Sequence, residues 1–344
     1  MAPVKSFGRA AAVLGFFVLS ACGASRGGPA PFSRTVSLPY ARCTFTITQG
    51  GDEATVTACI ARISEVFREL DMYGDESDLA SVNRAAGRGP ARVSADAVAA
   101  VGQALGLAAA TGGRYDPTVG TLSRLWGISG GHPRIPAQEE IDAVRALVDW
   151  RKVAVDEAAR TVGLAVKGMA LDLGSVLKGY AAVETGNLLA SRGVTSAVVD
   201  IGGSVVTVGS GPGGRAWRVG VQEPGAPAGT NVGVIDVRDE VVNTSGLYQQ
   251  FFVSGGKRYA HVFDTATGYP VDNGVEGVTV IRDRHLNADG PSLAILVSGP
   301  DGGLALARSL GVEAVIIGAD RTIRMTDGIR RRFTLQDTSY RIVR

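Results

Sequence analysis

The chain turns apolar from Ala10 through Leu19, behind the two cations Lys5 and Arg9. A run of that length is too short for a permanent bilayer crossing and suits the apolar region of an export signal. The polar segment Gly23 to Ser33, with its Gly and Pro residues, reads as a tether. Val36 to Thr48 then has the β-branched and apolar content of a strand, and Gly50-Gly51 is its turn signal. From Ala54 to Leu70 the apolar side chains fall at Val56, Ile60, Ile63, Val66, Phe67 and Leu70, the spacing of one helical face. Ala95 to Ala110 and Glu139 to Val148 predict two more helices, the second started by Pro136 and Gln138 to Glu140. Val153-Ala-Val155 and Thr161-Val162 flank a charged turn, predicting a hairpin over Lys152 to Leu164.

The second half changes character. Lys178 to Ser191 predicts a helix, and Ala197 to Ile201 a strand that stops at Gly202-Gly203. Short strands are predicted at Trp217–Val221, Val232–Val237, Val241–Thr244, Tyr259–Phe263 and Val275–Ile281. Ser292 to Leu310 predicts a helix before a strand at Val312–Ile317. With no internal repeat, this mixture predicts an α+β architecture of mixed α/β type, not a repeated βαβ sheet or a propeller. The expected division is an export signal over 1–21, a tether over 22–34 that begins at Cys22, and one body over 35–344.

The 344 residues are 45% apolar and 20% charged, enough for one large domain or two moderate ones, and the 47 Gly imply many tight turns. The net charge is +2, and loss of Lys5 and Arg9 with the signal leaves the body almost neutral. Charge therefore gives no reason to propose nucleic acid or an anionic membrane as the main partner. Cys22, Cys43 and Cys59 include no C-x-x-C pair, which supports neither a disulfide-dense scaffold nor a zinc ribbon. In an exported protein Cys43 and Cys59 are able to pair, yet one sits in a buried-strand pattern and the other on the first predicted helix.

Candidate chemistry begins at Leu171-Asp-Leu-Gly-Ser-Val-Leu-Lys-Gly-Tyr180. Gly174 and Gly179 let the backbone approach a ligand, Lys178 can meet an anionic or heteroaromatic group, and Asp172 can accept donors from a nucleotide or flavin. The spacing is not that of a Walker A loop. Read alone, the stretch is equally a loop entering a helix. Asp289, in Asn287-Ala-Asp-Gly-Pro-Ser292, is a hard ligand suited to magnesium or, equally, a cap for the helix behind it. Of His132, His261 and His285, His261 stands where a strand meets the turn of His261-Val-Phe-Asp-Thr-Ala-Thr-Gly-Tyr-Pro270. A neutral imidazole there can take a proton from a hydroxyl nucleophile, and a structural histidine fits the same position.

Several motifs occur in a fixed order: Tyr73-Gly-Asp-Glu-Ser77 with Asn83, Gly113-Arg-Tyr-Asp-Pro-Thr-Val-Gly120 with Leu125-Trp-Gly127, and Asp172 to Tyr180. Asp200-Ile-Gly-Gly203, Thr244-Ser-Gly246, His261 to Pro270 and Ala288-Asp289 complete the series. Jointly they resemble the ApbE family of FAD:protein FMN transferases. The resemblance implies that family's mixed α/β fold and FAD as substrate and FMN donor. It implies FAD contacts from Tyr73, Arg114, Tyr115, Asp116, Asp172, Lys178 and Phe263, the last of which need not use its ring. It also implies Mg²⁺ held by Asp289 and the Ser175 carbonyl, and His261 as general base. Leu19-Ser-Ala-Cys22 separately resembles the lipobox of bacterial lipoproteins, implying cleavage before Cys22, acylation there, and a lipid anchor on the periplasmic side of a bacterial membrane.

The implied reaction is attack of an acceptor threonine or serine hydroxyl on the FMN-side phosphorus of FAD, with AMP leaving. The implied acceptor is a flavoprotein of a membrane-associated electron-transfer system, bearing a D-x-x-[ST]-G-A-[ST] motif. Three positions depart from the family pattern. Ala41 replaces a methionine, Val183 replaces an aspartate with Glu184 beside it, and Leu293 replaces a threonine four positions after Asp289. Leucine offers a metal no oxygen, leaving Ser292, backbone carbonyls or water to fill that place. Two alternatives stay open: a magnesium enzyme that hydrolyses FAD to FMN and AMP, and a flavin-binding carrier without turnover.

Overall fold

The computed structural model describes residues 32–343. The export signal, Cys22 and most of the tether lie outside the described residues. β1 (Phe32–Ser37) and β2 (Arg42–Gln49) form an antiparallel hairpin where one strand over 36–48 is expected. The break is local: Pro39 has no N–H for a ladder, and Leu38 and Ala41 exchange backbone hydrogen bonds of 2.9 and 3.3 Å across it. Phe32, Ser33 and Arg34 pair with Ile47, Thr46 and Phe45, so the sheet takes in the end of the segment expected as tether.

Seven strands complete this sheet: β3 (Ser196–Ile201), β4 (Ser204–Gly209), β5 (Glu240–Gly246), β6 (Val275–Asp283), β7 (Glu313–Gly318), β8 (Thr322–Met325) and β9 (Arg341–Ile342). They lie side by side in chain order, antiparallel throughout except for the β8–β9 pair. The β3–β4 hairpin turns on Gly202-Gly203, whose φ of 57° and 95° are the positive values a two-residue turn of this kind requires.

Eight helices are described: α1 (Glu53–Glu69), α2 (Asp78–Ala85), α3 (Ala95–Ala110), α4 (Gly120–Trp126), α5 (Gln138–Arg145), α6 (Gly174–Ser191), α7 (Asp289–Val297) and α8 (Pro300–Ser309). Asp52 and Ser94 cap α1 and α3 by accepting the backbone N–H groups of Thr55 and Ala97. The single helix expected over 292–310 is two, because Gly299 takes φ +76° and Pro300 starts a new helix. The strand expected over 259–263 ends at Ala260, paired with Phe251–Ser254, and His261 leaves it. The predicted hairpin forms as Val153–Asp156 against Thr161–Leu164.

Alternating residues assign the two faces of the main sheet. Ala197, Val199, Ile201, Val206, Val208, Val241, Val278 and Val280 join the core under the helices. Val198, Val205, Val242, Ile281, Val315 and Ile317 join a second core, closed by a small sheet of Trp217–Gln222, Asn231–Val237 and Phe333–Leu335. Coverage of both faces explains why all six residues of β3 are buried, without alternation. The result is a mixed α/β body of three layers. Cys43 and Cys59 are both buried free thiols, kept protonated by that burial.

Candidate active site

The polar groups gather where α6 and α7 begin. Asp172 precedes α6; its N–H reaches the Pro117 carbonyl at 2.8 Å, while its carboxylate accepts the Gly174 N–H at 2.9 Å and the Ser123 hydroxyl at 2.7 Å. One turn into α6, Lys178 places Nζ 3.8 Å from Asp289 Oδ2. Asp289 is 2% exposed and opens α7, yet its side chain does not cap that helix. Its carboxylate turns back to accept the Asn243 amide at 3.0 Å and the Gly179 N–H at 3.3 Å. Position 179 must be glycine for this approach: a Cβ there would lie 2.0 Å from Asn287 Oδ1 and 2.7 Å from Asp289 Cβ. Burial raises the Asp289 pKa, against the pull of Lys178 and these donors. Two helix N-termini and a lysine favour an anionic ligand such as a phosphate.

His261 stands on the loop after Ala260. Its Nδ1 and backbone N–H both lie 3.1 Å from the Gln250 carbonyl, so Nδ1 carries the proton and Nε2 keeps its lone pair. Burial lowers its pKa below the ordinary 6.5 against the hydrogen bond to Gln250; the Lys178 charge lowers it further and Asp172 opposes. The imidazole is therefore neutral at pH 7. Aromatic packing fixes the loop, since Trp126 stacks on Tyr259 at 5.7 Å and its Nε1 donates to the Gly268 carbonyl at 3.0 Å.

Tyr115 is buried, and its hydroxyl sits 3.1 Å from Ser175 Oγ. Burial, with the charges of Asp289, Asp172 and Asp116, raises its pKa. Tyr73 stands at the mouth of a cleft of about 630 Å³ that also takes in Ser123, Arg124, Gly130 and His132. A cleft of this size suits one part of a dinucleotide. Burial and then Asp172 raise the Tyr73 pKa too. In this site Tyr115 thus meets Ser175 and Lys178 meets Asp289, while the Asp172 charge reaches Tyr73 and His261.

The other expected contacts sit at its edge. Asp116 is 6% exposed and spends its carboxylate on Thr118 N, Thr118 Oγ1 and Trp150 N, at 2.8, 2.6 and 3.0 Å, which holds the loop carrying Tyr115. Arg114 is exposed, its guanidinium near Gly302. The Phe263 ring packs 6.2 Å from Trp126 inside an aromatic cluster, leaving only its backbone for a ligand. Ala41 is buried, and a Cβ on Gly202 would stand 2.9 Å from the Ala41 Cβ and 3.6 Å from Lys178 Cδ. Glu184 faces Arg62 at 2.7 Å, so it does not stand in for the missing acid at Val183. Leu293 packs into the helix-side core.

Sequence reasoning missed Ser123, Ser204 and Asn243. The readable signal was a polar Asn243-Thr-Ser245 inside the strand β5, since buried polar side chains need partners. Asp289 keeps lone pairs beyond those given to Asn243 and Gly179. The Ser175 carbonyl lies 3.8 Å from where a Cβ of Gly290 would stand. Carboxylate and carbonyl oxygens are hard donors of the kind Mg²⁺ takes. Among the described residues no group of three His, Cys, Asp or Glu forms a metal cluster, so a bound ion would take its remaining ligands from substrate oxygens and water.

The model of the ApbE family matches residues 40–316. The FAD:protein FMN transferase of Treponema pallidum (strain Nichols) is 31% identical, over 95% of this chain and 96% of that protein. That of Klebsiella pneumoniae (strain 342) is 31% identical, over 82% of this chain and 90% of its own length. Among solved structures, apo flavinyl transferase ApbE of Pseudomonas stutzeri superposes with TM-score 0.80 at 27% identity, over 91% of this chain and all of its own.

Proposed function

This chain belongs to the ApbE family, and from that premise we propose that its site moves the FMN half of FAD onto a threonine or serine hydroxyl of an acceptor flavoprotein. It is an FAD:protein FMN transferase. His261 Nε2 takes the hydroxyl proton as the oxygen attacks the FMN-side phosphorus. The bond from that phosphorus to the AMP oxygen breaks, AMP leaves with the electron pair, and a phosphoester joins FMN to the acceptor. The flavin ring undergoes no redox change. The observation that carries this reading is the fixed tautomer of His261, with Nδ1 held by Gln250 and Nε2 available as a base.

The pyrophosphate lies near the start of α6 and α7, where Lys178 and the positive ends of the two helix dipoles take up its charge. Tyr73 lines the flavin-nucleotide cleft, Asp172 reaches it through Ser123, Tyr115, Arg114 and the Phe263 backbone complete it, and Asp116 serves by holding the loop that carries Tyr115. Asp289 and the Ser175 carbonyl hold Mg²⁺, which when bound offsets charge building on the phosphate oxygens. The acceptor belongs to a membrane-associated electron-transfer system and carries D-x-x-[ST]-G-A-[ST].

Cys22 is acylated and tethers the body to the periplasmic side of a membrane. Among the described residues no helix is long and apolar enough to cross one. Cys22→Ser abolishes the lipid mass and membrane retention while leaving the body folded; equal retention of both proteins contradicts the anchor.

Intact-mass analysis of an acceptor incubated with this protein, FAD and Mg²⁺ tests the reaction. A covalent FMN adduct is expected. Free FMN with unmodified acceptor supports hydrolysis, and unchanged FAD supports a carrier.

A further inference from the structure

Beneath Asp289 lies a buried polar cluster that the transfer chemistry does not use. β5 runs beside β4, and Asn243 stands directly opposite Ser204 in that pairing. Asn243 and Ser245 share the parity of Val241, which places both under α7 on the helix-covered face. Asn243, Ser204, Ser292 and Asp289 are all 2% exposed or less. In such a place each polar atom needs a partner, and here each partner is specific.

The amide has only one workable orientation. Ser204 Oγ donates to Asn243 Oδ1. Nδ2 then uses both hydrogens, one to Asp289 Oδ1 at 3.0 Å and one to Ser292 Oγ at 2.7 Å. A flipped amide would set its oxygen against the Asp289 carboxylate, with the Ser204 hydroxyl accepting where it now donates. Ser292 Oγ is also saturated: it donates to the Asp289 carbonyl at 2.7 Å, accepts from Asn243, and meets Ser245 Oγ at 2.6 Å. It has no lone pair left for an ion. Ser292 therefore does not fill the place that Leu293 leaves empty of oxygen.

We infer that Asn243 is a positioning residue for Asp289: its amide, oriented by Ser204, holds the carboxylate in the pose that binds the cation, from the strand side, in a site where residue 293 contributes no hydroxyl. This rests on the reading of Asp289 as the Mg²⁺ ligand. Groups that orient a ligand in this way commonly govern affinity by about 10–100-fold.

The test is binding of Mn²⁺, as a paramagnetic stand-in for Mg²⁺, to the whole protein with FAD bound and no acceptor present, read by electron paramagnetic resonance. Asn243→Ala should weaken Mn²⁺ binding roughly 10–100-fold, while FAD affinity in EDTA stays that of the parent. Ser204→Ala, which leaves the amide but frees its orientation, should weaken it less and in the same direction. In an Asp289→Asn background, Asn243→Ala should add nothing further, a non-additivity that a purely structural role would not produce. Unchanged Mn²⁺ binding in Asn243→Ala, with binding lost in Asp289→Asn, overturns the inference alone. Unchanged binding in Asp289→Asn overturns the metal reading and the inference with it. If Asn243→Ala does not fold, Ser204→Ala decides, and parental affinity there overturns the inference.

Discussion

The two faces of the central sheet are made by alternate residues of the same strands, yet they differ in kind. Toward the small sheet, β4, β5 and β6 present Val205, Val242 and Ile281, and their buried polar groups there are threonines that pair within the sheet, as Thr244 does with Thr279 at 2.9 Å. Toward the helices the same strands present Ser204, Asn243 and Ser245 beside Val206 and Val241. Burying polar groups is costly unless each is paired, so a fold under pressure for stability alone would have no reason to keep that stripe. It survives directly under Asp289, where α6 and α7 deliver their N-termini. Both faces bury paired polar groups, but only the helix-side stripe touches Asp289, so that face is read in ligand handling as well as in stability.

The sharpest way to separate them is Ile281→Ala. A cavity in the small-sheet core should cost about 2–5 kcal/mol of unfolding free energy, measured by denaturant titration, with Mg²⁺ dependence of transfer unaltered in the folded protein. A shift in Mg²⁺ dependence would show that the faces are coupled. On the helix side, Asp289→Asn keeps shape and loses charge; it should raise the Mg²⁺ concentration for half-maximal transfer by about tenfold or more while FAD affinity without metal holds. An unchanged titration curve removes Asp289 as a major ligand.

The smallest expected effect lies at Leu293. It follows Asp289 by four residues on α7, so the two share a helix face. Leu293→Thr should tighten Mg²⁺ by a few-fold at most and lower stability through lost packing, on the order of 1 kcal/mol or more. Unaltered affinity, measured alongside unfolding, would mean that the missing hydroxyl does not limit the site.

The same contrast explains what could be read from sequence. Elements with a strong period were legible almost to their ends: α3 spans the predicted Ala95–Ala110, and α1 differs from Ala54–Leu70 by one residue at each end. Breaks set by backbone chemistry were harder, as at Pro39 and at Gly299-Pro300, because the apolar pattern continues across them. Asp172, Lys178, His261 and Asp289 were legible through the fixed order of the motifs that carry them, since each taken alone also fits a structural place. Asn243 and Ser204 did not, since their meaning comes from cross-strand register, and a register is a property of two segments far apart in the chain. Ser123 was hidden for a similar reason: its partner Asp172 lies 49 residues away.

The central claim is that a neutral His261 takes the acceptor proton. Single-turnover transfer of FMN, followed across pH in parent protein and His261→Asn, tests it most directly. Because burial and Lys178 hold the His261 pKa below 6.5, the parent rate should be level above that pH and fall on the acid side of it as the imidazole takes up a proton. His261→Asn should still bind FAD and melt like the parent, transfer FMN about 10²–10⁴-fold more slowly, and lose that acid limb. A parental rate and pH profile in His261→Asn, or a loss of rate that tracks unfolding alone, would contradict the assignment.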